Sequence, residues 1–262
     1  MNIIIINLKR STSRRLRIER EMKRVRLSYK FFNGVDGLQL TKEEVQTNID
    51  PNHRFFRQFN KGEIGCFLSH YSVYKKIVDD NLPYALILED DIIISPRLPE
   101  LLRLIESQIN QGDVISLYSS FPEPCRLYKE KDINQNYYIT KPHEVQLVMG
   151  TVAYVITLKA AENMVRNMLP MDNVVDDWRY WLQKKLILDF KIVFPHPVDV
   201  IDTYSDVTES VGGLGLRIKK MIVNNDFTIL ANIILKRRRS SRWQGRRNNI
   251  IIDGQKPKTL FY

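Results

Sequence analysis

A chain of 262 residues, 44% of them hydrophobic, is long enough to close one sizeable core, while two cysteines, Cys66 and Cys125, exclude a disulfide framework. No Cys/His cluster has the spacing of a zinc site, no stretch is long and charge-free enough to span a bilayer, and no basic region precedes the apolar Met1 to Leu8 to make a secretory signal. The net charge of +10 is uneven: Arg217, Lys219, Lys220, Lys236, Arg237, Arg238, Arg239, Arg242, Arg246 and Arg247 face Asp226 alone, a local excess that asks for an anionic partner, nucleic acid or lipid.

The run Asn2-Ile3-Ile4-Ile5-Ile6-Asn7 predicts a buried parallel strand, and Arg10 to Arg15 a loop entering a helix, with Ser11 or Ser13 as N-cap. A strand, polar turn and helix start in that order can hold an anion. The helix is expected to reach about Leu27. A second strand follows at Tyr29 to Phe32, closed by the turn residues Asn33-Gly34-Val35-Asp36-Gly37. Lys42 to Arg57 is polar and reads as irregular. Gly62-Glu63-Ile64-Gly65 opens an amphipathic helix to Asp79, and Asn81-Leu82-Pro83 ends it. Beyond it, a helix over 98–109, strands at Asp113 to Tyr118 and Val152 to Thr157, a helix over 159–168 and a strand at Ile187 to Phe194 continue the alternation. Alternating strands and helices imply an α/β class with mostly parallel order. Pro195 to Gly215 reads as loop, and Leu216 to Leu235 as an amphipathic surface helix with basic ends.

Between Ala85-Leu86-Ile87-Leu88 and Ile92-Ile93-Ile94 stand three adjacent acids, Glu89-Asp90-Asp91. An apolar run ending in acids reads as a buried strand that delivers carboxylates to the rim of a sheet, where open α/β folds bind ligands. Carboxylates gathered there suit a hard cation that bridges to phosphate, and a solvated acidic turn is the equal alternative. Asp176 and Asp177 precede Trp178, Tyr180 and Trp181; either acid can cap the helix that follows or act as a base. The tryptophans read as core more than as a sugar platform.

The stretches Ile6-Asn7-Leu8 to Arg14-Arg15, Phe31 to Gly37, Gly62-Glu63-Ile64-Gly65-Cys66-Phe67-Leu68-Ser69-His70, Tyr84 to Asp91, Gly150 to Ile156 and Val175-Asp176 occur in the order seen in glycosyltransferase family 25, and the chain resembles that family over roughly two-thirds of its length. The specific part is Gly-Cys-x-x-Ser-His followed about twenty residues later by Leu-Glu-Asp-Asp. The resemblance implies a GT-A fold (Rossmann-like, with a mostly parallel sheet), placed over 1–215; the basic helical tail over 216–262 is read from its own charge and periodicity. The resemblance also implies an inverting transfer of a hexose, galactose first, from a UDP-sugar to a lipooligosaccharide or lipopolysaccharide acceptor, with Mn²⁺ or Mg²⁺ as cofactor. Under it, Asp91 and Glu89 are the metal ligands, Asp176 or Asp177 the base, and Asn7, Leu8, Arg10, Arg14, Asp36, Ser69, His70, Glu89 and Asp90 the donor contacts. His70, Asn7, Asp36 and at least one of Arg10, Arg14 and Arg15 have structural or solvated roles as their alternatives. Ala153 stands where the family usually has Gly before Tyr. The tail would hold the protein as a peripheral enzyme on the inner face of a bacterial inner membrane. Two other readings compete: a nucleic-acid-binding metal nuclease, and an inactive scaffold of the same fold.

Overall fold

The computed structural model describes residues 1–53, 55–201 and 250–253. The expected amphipathic helix at 216–235, the basic run from Arg217 to Arg247 and all but four residues of the 216–262 unit lie outside the described residues.

Along the chain the elements are β1 (Asn2–Asn7), α1 (Thr12–Val25), β2 (Lys30–Asn33), α2 (Lys42–Asn48), α3 (Lys61–Asp79), β3 (Tyr84–Glu89), β4 (Ile92–Ile94) and α4 (Leu98–Glu106). They continue with β5 (Asp113–Ser116), β6 (Cys125–Asp132), β7 (Tyr138–Pro142), β8 (Ala153–Thr157), α5 (Leu158–Asn167), α6 (Trp178–Gln183), β9 (Asp189–Phe194), β10 (Val198–Val200) and β11 (Ile250–Asp253). One sheet has the order β11-β6-β7-β9-β5-β8-β3-β1-β2, and β10 pairs separately with β4. From the pairings, every strand of the large sheet points the same way except β7 and β8. The α/β class with a mostly parallel sheet is the architecture found.

Burial on both faces explains the isoleucine runs. In β1, Ile4 and Ile6 enter one core with Phe67, Tyr74, Trp178 and Trp181, whereas Ile3 and Ile5 enter the other with Ile18, Met22, Leu101 and Ile105. Successive strand side chains point to opposite faces, so a strand covered on both sides is apolar throughout. Helix α1 offers Ile18, Met22 and Val25 at helical spacing, and Arg26 closes it at φ 55°. Helix α3 starts with a capping box between Asn60 and Glu63.

Two expectations need correction. The stretch from Lys42 to Arg57 is not wholly irregular: α2 forms there, started by a capping box in which Glu44 N–H donates to Thr41 Oγ1 (3.2 Å) and Thr41 N–H to Glu44 Oε2 (2.8 Å). No α2 residue is fully buried, so the helix has no strong apolar stripe to reveal it. The antiparallel hairpin β6–β7 also falls where no strand is expected, because its charged residues Lys129, Glu130, Lys131 and Asp132 mask the pattern. Elsewhere boundaries shift by a few residues: α4 ends at Glu106 and β5 at Ser116. Ser11 occupies the N-cap position of α1 without a capping bond from its side chain.

Candidate active site at the carboxyl edge of the sheet

Strand register assembles the site. β1 lies between β2 and β3, both parallel to it, with Asn7 opposite Asn33 and Ile6 opposite Glu89, so all three strands end along one rim. β8 runs the other way, with Ala153 opposite Leu88, and its start arrives at the same rim. Glu89 N–H donates to the Val152 carbonyl (2.9 Å), which brings Gly150 and Thr151 beside the acids. Ligands bind open α/β sheets at this edge.

At the rim the three acids are unevenly supported. Asn7 Nδ2 donates to Asp90 Oδ2 (2.6 Å), and the Arg14 guanidinium, from the first turns of α1, lies 3.1 Å from Asp90 and hydrogen-bonds Asp91. Burial pushes the Asp90 and Asp91 carboxyls above the usual range, and Arg14 only partly offsets it. Burial also pushes Glu89 up, but His70, Thr151 and Arg14 together hold it below its usual value. Asp91 Oδ1 is buried with no hydrogen-bond partner among the described residues. An orphaned, buried carboxylate oxygen is the kind of donor that a hard divalent cation takes. One helical turn beyond Arg14, Arg17 faces the same acids, and its Nε and Nη2 are buried without a partner among the described residues.

The family-type glycines have a steric cause. A Cβ on Gly65 of α3 would lie 2.6 Å from Gly37 N and 2.8 Å from Val35 O, and one on Gly37 would lie 1.7 Å from Lys61 O. The 34–37 turn therefore packs backbone to backbone on the first turns of α3. Ser69 secures the contact, donating to Gly65 O (2.6 Å) and accepting from Val35 N–H (2.8 Å). Asp36 is tied in turn to Leu38 N–H (3.1 Å) and to Arg10 (2.6 Å). Between this turn, α3 and the acids lies a pocket of 160 Å³ lined by Leu8, Arg10, Arg14, Asp36, Ser69, His70, Glu89, Asp90 and Asp91, among others. Asn7 does not line it; buried at 3% exposure, it supports Asp90 from beneath. Arg15 points elsewhere, over the Phe31 ring at 3.8 Å and toward Glu19.

Asp176 and Asp177 divide their roles. Asp177 is the N-cap of α6, accepting from Tyr180 N–H (3.0 Å) through one oxygen and from Asn173 Nδ2 (2.9 Å) through the other. Asp176 Oδ2 instead accepts from Gly150 N–H (3.1 Å), while Thr151 Oγ1 donates to Glu89 Oε1 (3.0 Å). Consecutive residues thus each bind one carboxylate. Gly150 sits at φ 103°, a left-handed conformation that favours glycine, and its carbonyl accepts from Trp178 Nε1 (3.2 Å). Both Trp178 and Trp181 are buried core residues, Trp178 stacked on Phe190. Asp176 and Asp177 line a second, larger cavity of 670 Å³ with Phe55, Phe56, Met149, Asp172 and Tyr180. Phe56 is 82% exposed there.

Sequence reasoning missed Arg17, Thr151, Tyr154 and the part-buried Cys66. Arg17 had a signal, its i+3 spacing from Arg14. Tyr154 had only its place in the Gly150 to Ile156 stretch; that its hydroxyl meets His70 Nδ1 (2.7 Å), 84 positions away, is a tertiary contact.

Residues 1–178 match the model of a family described as glycosyltransferase family 25 (LPS biosynthesis protein). Procollagen galactosyltransferase 1 of Danio rerio is 31% identical over 187 residues, 65% of this chain and 30% of the relative. Procollagen galactosyltransferase 2 of Homo sapiens is 32% identical over 183 residues, 65% of this chain and 29% of the relative. The match thus spans under a third of these relatives' length. Among solved structures, a glycosyltransferase involved in the glycosylation of the major capsid of PBCV-1 aligns with 73% of this chain and 80% of its own, at a TM-score of 0.34 and 10% identity.

Proposed function

The chain belongs to glycosyltransferase family 25, and from that premise we propose that it is an inverting, metal-dependent transferase that moves a hexose from a UDP-sugar to the sugar of a lipooligosaccharide or lipopolysaccharide. The observation that carries this reading is that Gly150 N–H and Thr151 Oγ1 hold two carboxylates, Asp176 and Glu89, each of which lines a different pocket. Two galactosyltransferase relatives make galactose the first donor to try, and the family description points to the lipopolysaccharide acceptor.

In this reading the pocket by the acids takes the donor. Asp91, through its orphaned oxygen, and Glu89 would hold Mn²⁺ or Mg²⁺. Such an ion, when bound, neutralises charge that develops on a departing diphosphate. Arg14 and Arg17 add fixed positive charge to the same place, where a buried cation acts with little screening. Arg10 and Asp36 hold the pocket's outer edge as an ion pair. Asp176, in the wall of the larger cavity, accepts the proton of the acceptor hydroxyl, and its bond to Gly150 N–H keeps the carboxylate oriented for that transfer. The larger cavity takes the acceptor, with the exposed Phe56 ring offering an apolar face to a sugar. The basic residues between Arg217 and Arg247 would hold the enzyme to anionic lipid on the inner face of the inner membrane.

The test is a screen of UDP-hexoses for UDP release by the full chain with Mn²⁺, comparing wild type with Asp91→Ala and Asp176→Asn. Turnover of one donor, lost in both variants, is expected. Full activity in both would overturn the assignment of ligand and base. Binding to vesicles with and without phosphatidylserine tests the membrane role; equal binding to both would remove it.

A further inference from the structure

The wall of the smaller pocket carries a second set of ligand atoms, which shares Glu89 with the acidic set but has a different chemistry. Cys66 Sγ, a ring nitrogen of His70 and a carboxylate oxygen of Glu89 lie within 4.8 Å of one another. Cys66 and His70 are four residues apart on α3 and so share a face, and Glu89 ends β3. His70 is 1% exposed, and its Nε2 is directed at Glu89 Oε1, 3.5 Å away. Its other nitrogen, Nδ1, meets the Tyr154 hydroxyl at 2.7 Å, and that hydroxyl meets Tyr74 Oη at 2.6 Å. A histidine that ligates a metal through one nitrogen is normally held by a hydrogen bond at the other, and this outer partner is already in place.

We propose that Cys66, His70 and Glu89 form a Zn²⁺ site. One sulfur, one imidazole and one carboxylate make a borderline-soft set that selects Zn²⁺ over the oxygen-seeking Mn²⁺ or Mg²⁺, and a water completes four-coordination. Binding releases the thiol proton to solvent, since the thiolate is the ligand. All three ligands line the smaller pocket. Zn²⁺ there occupies Glu89 in the wall of the smaller pocket and competes with UDP, a consequence that rests on the donor reading of that pocket, whereas the site itself does not.

Co²⁺ is the probe. Added to the full chain it should give a thiolate-to-cobalt charge-transfer band in the near ultraviolet, abolished by one equivalent of Zn²⁺. Cys66→Ser should lose the band and Cys125→Ser keep it. Tyr154→Phe should weaken Zn²⁺ binding about 10–100-fold, measured by competition with a chromophoric chelator. A cobalt spectrum showing oxygen ligands only, or a band that persists in Cys66→Ser, overturns the site. UDP binding measured calorimetrically with and without Zn²⁺ tests the competition: unchanged affinity beside an intact cobalt band removes the donor reading and leaves the metal site standing.

Discussion

Replacing Gly65 by alanine sets two effects of opposite sign against each other. In an exposed helix interior the change stabilises by about 1 kcal/mol, because glycine loses more backbone freedom on folding. At Gly65 the new Cβ would stand 2.6 Å from Gly37 N, 2.8 Å from Val35 O and 3.0 Å from Gly37 Cα. All three are backbone atoms, so no side chain can swing aside. Overpacking of this kind costs about 1–3 kcal/mol. The turn must also move off α3, straining the Val35 N–H bond to Ser69 Oγ, worth about 1 kcal/mol. The net loss is about 1–3 kcal/mol, which for a domain of this size lowers Tm by roughly 2–12 °C. Differential scanning calorimetry reads this directly. Because Gly37 and Leu38 line the smaller pocket, UDP affinity should fall in parallel. A Tm equal to or above wild type would show that the turn yields freely, and would refute the close-approach argument for both glycines.

Three other outcomes follow from named contacts. Burial holds the Asp176 carboxyl above its usual range, only partly offset by Gly150 N–H, so kcat should rise with pH through a pKa above the ordinary value of about 3.9. Asp176→Asn should lower kcat about 10²–10⁴-fold, yet be the more stable protein at neutral pH. The sign follows from the raised native pKa: the folded wild type loses stability as pH climbs through it, and the amide does not; equal Tm values for the two at pH 4 and pH 7 would contradict this. Lys191→Met should cost about 3–5 kcal/mol in urea denaturation, because it leaves Asp113 charged, 4% exposed and without its ammonium partner. Adding Asp113→Asn should recover most of that loss, and failure to do so would place the cost in packing. Phe56→Ala should raise the acceptor KM about tenfold with the donor KM unchanged, the scale of one lost aromatic contact; a rise in donor KM instead would put the donor in the larger cavity.

Much of this protein was legible in one dimension. Isoleucine and leucine runs marked β1 and β3, since a strand buried on both faces has no polar position to interrupt it. The end of such a run in Glu89-Asp90-Asp91 marked the rim, and Asn60 and Glu63 agree with the start of α3. The order of short motifs identified the family. Helix α2 was also legible in its Thr41 and Glu44 capping box and was passed over for want of an apolar stripe.

What only the tertiary structure decided are relations between residues far apart in the chain. Parallel register, not local propensity, put Asn7 against Asp90, and the reversed strand β8 brought Thr151 to Glu89 and Tyr154 to His70. Sequence left Asp176 and Asp177 equivalent as cap or base; the start of α6 at Trp178 makes Asp177 the cap, and Asp176 meets Gly150 N–H instead. Cys66, His70 and Glu89 show no metal spacing in the sequence because two come from a helix and one from a strand end. Periodicity records which face of an element is buried. Which elements meet is decided by strand order and register, and on that the chemistry at this rim depends.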